Sequence, residues 1–102
     1  MKSTVLSLKE NDMNLTNHAQ ARMQQRGINI TVLEYLDDYG CYLEQGHKGS
    51  IVYFDKRSKA LLKKELSRRE FARIERKLNA YFVVSNNGAV ITVGHRTKPI
   101  RH

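Results

Sequence analysis

Two strand-like runs, Phe82 to Ser85 and Ala89 to Gly94, stand on either side of Asn86-Asn87-Gly88. Asn-Gly is the strongest short hairpin signal, because a type I′ turn needs positive φ at both central positions. A second pair, Cys41 to Gln45 and Ser50 to Asp55, is joined by Gly46-His47-Lys48-Gly49, again of hairpin length and with two glycines. An isolated hairpin is marginal in water, so both require a shared sheet with an apolar face packed against something. What lies between and before them must supply that packing.

The remaining periodic segments read as helices. Thr16 to Ile28 opens with Thr16 or Asn17 as N-cap and stops at Gly27. Asn29 then caps a second helix running to about Tyr39, with Val32, Leu33, Leu36 and Tyr39 as its buried stripe and Gly40 as its stop. Ser67-Arg-Arg-Glu70 is a capping box, after which Phe71, Ile74, Leu78 and Tyr81 keep helical spacing and predict a third helix. Ala60 to Leu66 fits a helix that stacks Leu62 on Leu66, a short strand or an irregular crossing. The predicted order is helix, helix, strand, strand, helix, strand, strand: an α+β domain over residues 14–96, with an antiparallel sheet of two hairpins packed against helices. Residues 1–13 read as an extended or disordered lead-in, with Val5 and Leu8 as an edge-strand candidate, and residues 97–102 as a basic tail in which Pro99 ends pairing.

Composition narrows the function classes. A chain of 102 residues, 40% hydrophobic and 27% charged, holds one modest core. Cys41 is the single cysteine, which rules out an intrachain disulfide and a cysteine zinc cluster and points to a small buried filler in a reducing compartment. No run approaches a membrane span, and the first residues are charged too early for a signal-peptide core, so a cytoplasmic protein is expected. Eighteen Lys and Arg against ten Asp and Glu give +8, a field that attracts a polyanion or an acidic protein partner.

Within that field the first helix stands out. His18, Arg22 and Arg26 fall within roughly 80° of one another at 100° per residue, at the border of the buried seam. The bland alternative is that the arginine stems merely cover apolar surface while His18 bonds near the helix start. The four histidines, 18, 47, 95 and 102, have neither ligand spacing nor a carboxylate at helical spacing, so no metal and no cofactor is expected. Phosphate-cradling and serine-nucleophile motifs are missing as well. What is left is His with Arg and Lys, an inventory suited to metal-free cleavage of RNA: a base takes the 2′-hydroxyl proton, an acid protonates the leaving 5′-oxygen, and cations hold the phosphoryl charge. On that scheme His18, Arg22 and Arg26 form one wall and His95, Arg96 and Lys98 the other, provided the last strand runs beside the first helix. Tyr42 and Glu44 are further candidates, each equally explained as an ordinary strand residue. Arg69, Arg73 and Arg76 lie opposite the third helix's apolar stripe, as a solvated face or a phosphate-contacting one.

The motif His-Ala-x-x-Arg-Met-x-x-Arg-Gly-Ile at 18–28, the Val32/Leu36 helix and the closing Val-Ile-Thr-Val at 90–93 resemble the small bacterial domains known as DUF4258, over about Leu15 to Val93. The resemblance implies a compact α+β domain similar to RelE/ParE-type and barnase-like ribonuclease toxins, with His18, Arg22 and Arg26 matching residue by residue. It carries the expectation of a toxin-like RNA-binding domain, acting as a metal-independent endoribonuclease and neutralised by an acidic partner such as an antitoxin. The residues leave two rivals open: a non-catalytic module that binds RNA or DNA, and an interaction protein for an acidic partner.

Overall fold

The computed structural model describes residues 13–96. They form β1 (Asn14–Leu15), α1 (Asn17–Arg26), α2 (Ile30–Tyr39), β2 (Cys41–Glu44), β3 (Ser50–Tyr53), α3 (Lys56–Glu65), α4 (Arg68–Ile74), β4 (Ala80–Val84) and β5 (Ala89–His95), with 3₁₀ turns at Gly46–Lys48 and Glu75–Lys77. Both expected hairpins share one five-stranded sheet of order β1-β5-β4-β3-β2. The sheet is mixed rather than purely antiparallel, because β1 joins β5 in parallel, Asn14 opposite Ala89 and Leu15 opposite Val90. Two residues give too little alternation to read as a strand, and only pairing with β5 defines this one.

Local chemistry starts and stops the helices much as expected. The Thr16 hydroxyl accepts from the Ala19 amide at 3.1 Å, and Gly27, at φ 65°, closes α1 by donating to the Gln24 and Met23 carbonyls. Asn29 caps α2, and the Ser67/Glu70 capping box makes both of its bonds. The open segment is resolved as α3, which Asp55 caps by accepting from the Ser58 amide and hydroxyl, each at 2.8 Å.

The third predicted helix needs correction. It ends at Ile74 and passes through the 3₁₀ turn, so Leu78 lies beyond it and Tyr81 belongs to β4. The helical phase of Leu78 and Tyr81 was coincidental: Ala80–Val84 fills the central place between β3 and β5, and pairing on both sides outweighs a periodicity that any residue can satisfy by chance. The β4–β5 loop also differs from a type I′ turn. Gly88 donates to the Ser85 carbonyl and Ser85 to that of Ala89, which makes a three-residue loop with Gly88 at φ 91°.

Side-chain alternation puts Val52, Phe82 and Val93 in one cross-strand row, and this face carries the core with Phe54, Ala80 and Val90. Over it α1 packs along β5, α2 lies on β3 and β4, and α3 leans on α2 with α4 beside it. Ala19, Leu33, Leu36 and Leu62 are fully buried from the helical side. The opposite face presents Leu43, Ile51, Val83 and Thr92, all half-buried.

Candidate functional site

The first helix has an unusual electrostatic composition. From Met13 to Leu33 the chain contains no Asp or Glu, so nothing on α1 offsets its cations. His18 and Arg26 are exposed and Arg22 is half-buried, a consequence of Ala19 alone being fully buried on this helix, with Met23 packed beside it. The i, i+4 spacing brings His18 and Arg22 together: the guanidinium Nε–H donates to the imidazole Nε2 at 3.3 Å. Arg22 reaches the Gln25 side-chain oxygen at 3.5 Å on its other side. An imidazole that accepts at Nε2 carries its proton on Nδ1. The pair is thus a lone-pair nitrogen directly beside a planar two-donor cation.

At the far end of the same helix the sequence has built something different. His95, the last residue of β5, places Nε2 3.1 Å from the Arg26 carbonyl and Nδ1 2.9 Å from the Asn79 side-chain oxygen. A carbonyl only accepts, so Nε2 is a donor, and it satisfies one of the backbone oxygens that a helix C-terminus leaves over. Arg96 follows by donating to the Phe54 carbonyl at 3.1 Å and lying over the Tyr53 ring at 5.4 Å. Its Nε is buried without a hydrogen-bond partner among the described residues. A backbone bond from Arg96 N–H to the Asn79 carbonyl at 2.9 Å locks the corner, and the Asn79 side-chain Nδ2 donates to the Arg96 carbonyl at 3.4 Å.

These positions revise the expected two-walled site. The last strand does run beside the first helix, but His95 meets the Arg26 end while His18 lies eight residues back, about 12 Å along the axis at 1.5 Å per residue. The two histidines therefore stand at opposite ends of α1. Arg96, expected beside His95 in the second, phosphate-contacting wall, is turned onto Tyr53 and Phe54, because alternation along an extended chain puts it on the face of Gly94. Lys98 lies outside the described residues. Arg69, Arg73 and Arg76 are exposed, the first two on α4 and the third on the 3₁₀ turn.

The lesser candidates are accounted for locally. Tyr42 leaves about half of its surface exposed, and its hydroxyl donates to Asp37 at 2.9 Å; partial desolvation of the side chain and the Asp37 bond push its pKa up to about 12. Glu44 is exposed on the edge strand β2. Cys41 is a half-buried free thiol rather than a buried filler, since its edge strand leaves it beside a surface hollow of about 540 Å³ lined also by Asp55, Arg57 and Lys64. A second hollow, of about 570 Å³, lies against Met23 and Ile28. Neither hollow contains His18, Arg22, Arg26 or His95.

Among the described residues no group of three or more His, Cys, Asp or Glu is arranged to hold a metal ion, and no helix is long and apolar enough to cross a membrane. The residue reading missed Asn79 and Tyr53, which bind the second His-Arg pair. An Asn before a strand and a Tyr within one carry no local signature of such a role. No family model, curated protein or solved structure matches the chain.

Proposed function

We propose that this protein is a toxin-like RNA-binding domain that cleaves RNA by a metal-independent route from the exposed edge of α1, and that an acidic protein partner restrains it. The supporting observation is the direct His18–Arg22 contact on a helix without carboxylates. A phosphodiester offered to the Arg22 fork competes with the imidazole for the guanidinium and frees the Nε2 lone pair. That lone pair takes the proton of the 2′-hydroxyl, the 2′-oxygen attacks phosphorus, and the 5′-oxygen leaves and is protonated from solvent. Arg22, with Arg26 one turn on, carries the charge that builds on the phosphoryl oxygens. The products are a 2′,3′-cyclic phosphate and a free 5′-hydroxyl.

The second reading is a non-catalytic binding module, and one observation favours it: both ring nitrogens of His95 are already engaged, so α1 is left with His18 as its sole available proton carrier. Incubation of the pure protein with total RNA in excess chelator separates the two. Fragments with cyclic or 3′-phosphate ends, lost in His18→Ala and in Arg22→Ala while both variants stay folded, support cleavage. Binding without fragments supports the module, and undiminished cleavage by folded His18→Ala would end the proposed chemistry.

A further inference from the structure

The net charge of the chain is concentrated in one place. Between Lys56 and Lys77 there are ten Lys and Arg against three Glu, a net +7, while the other 80 residues together carry +1. That segment is α3, the two-residue link Leu66-Ser67, α4 and the 3₁₀ turn. On α3 the buried residues are Ser58 and Leu62, and at 100° per residue the opposite side holds Lys56, Lys63 and Lys64. On α4 Ile74 is buried with Phe71 partly so, and Arg69 and Arg73 point away from them. The two helices pack together and face the core with their apolar sides, so each turns its cationic side to solvent, with Lys63, Lys64, Arg69 and Arg73 all exposed. Glu65 and Glu70 only partly offset it, and like charges repeat at i, i+4 in Lys59/Lys63 and Arg69/Arg73.

We propose that this α3–α4 surface is a docking site for the phosphate backbone of double-helical RNA, separate from the His18–Arg22 edge; the choice of RNA rests on the function proposed above. The chemistry of the surface selects the partner. Bases of a single strand need aromatic platforms, and Phe71, the only aromatic residue in the segment, is half-buried. A protein interface builds on a desolvated apolar or aromatic centre, whereas Leu61 is the single large apolar side chain exposed here. Cations without stacking groups or apolar anchors suit a partner that hides its bases and turns its phosphates outward, as an A-form stem does.

The test compares the wild type with Lys63→Gln/Lys64→Gln/Arg69→Gln/Arg73→Gln, four exposed positions, after circular dichroism shows both to be folded. Each is titrated at several salt concentrations with an RNA hairpin, with oligouridine of the same length, with a DNA duplex and with poly-glutamate. The expected result is tighter wild-type binding to the hairpin than to oligouridine, and a loss of roughly 3 to 4 from the salt slope of the hairpin in the variant. If the quadruple variant binds the hairpin as the wild type does, the docking surface is wrong while RNA binding stands. Failure of the wild type to bind any RNA would overturn both. Oligouridine or poly-glutamate held more tightly than the hairpin would overturn the double-helical assignment, and a DNA duplex held more tightly would overturn the choice of RNA.

Discussion

The chain uses a histidine with a nearby arginine twice, at the two ends of α1, and the two pairs do opposite work. His18 and Arg22 bind chiefly each other, on an exposed edge. His95 and Arg96 bind the rest of the molecule: the Arg26 and Phe54 carbonyls, the Asn79 side chain and the Tyr53 ring. The same functional groups are available to a ligand in one place and consumed by the fold in the other. What separates them is whether backbone acceptors from distant segments converge on the side chain, and residue type says nothing about that.

The largest stability effect is expected where the fold consumes the pair. Arg96→Ala removes the donor to the Phe54 carbonyl and uncovers Tyr53, and should cost about 1 to 3 kcal/mol in a denaturant titration. His95→Ala should cost about 1 kcal/mol, as the Arg26 carbonyl and Asn79 lose their partner. If either variant were as stable as the wild type, the anchored pair would be no more structural than the exposed one.

Acid sharpens the same contrast, because Asp55 follows directly on the Phe54 carbonyl that Arg96 holds. The Ser58 backbone N–H, more than its hydroxyl, holds the Asp55 carboxyl below its ordinary 3.8, with burial pulling the other way. A folded-state value below the unfolded one contributes stability that is complete above the unfolded value and is lost as the pH falls through the folded one. The melting temperature should therefore drop below about pH 4 more steeply in the wild type than in Asp55→Ala. At neutral pH Asp55→Ala should lose about 1 kcal/mol as α3 loses its cap. Equal acid sensitivity of the two proteins would place the titrating group elsewhere.

At the exposed end the stability changes should be small. His18→Ala and Arg22→Ala are each expected to shift unfolding by about 0.5 kcal/mol or less, and under the proposed function to abolish RNA cleavage. A loss of several times that would show the His18–Arg22 pair to be structural too, and the contrast would collapse. Replacement of Arg69, Arg73 and Arg76 together by Gln should leave the melting temperature nearly unchanged, since exposed charges contribute little to stability. A marked destabilisation would mean that this face of α4 and its 3₁₀ extension is covered.

Much of the architecture was legible in the residues because it rests on short-range chemistry. Thr16, Asn29 and the Ser67/Glu70 box act within one helical turn, and the glycine loops close hairpins between neighbouring strands, so the α+β class and most element boundaries follow from local reading. The His18–Arg22 contact was legible for the same reason, since four residues along a helix are always neighbours. Nothing local marks β1, which exists only by pairing with β5 some 75 residues away, or assigns Tyr81 to a strand when helical phase suits it equally. Nor could residue type foretell that His95 would be held by Asn79 and Arg26, or that Arg96 would turn onto Tyr53. Those contacts join segments 16 to 69 residues apart, and their formation depends on how helix and sheet faces pack. Sequence thus determined which groups the protein could offer and where its helices begin. Tertiary packing decided which of those groups remain free, because a side chain can be spent only on an acceptor that folding brings to it.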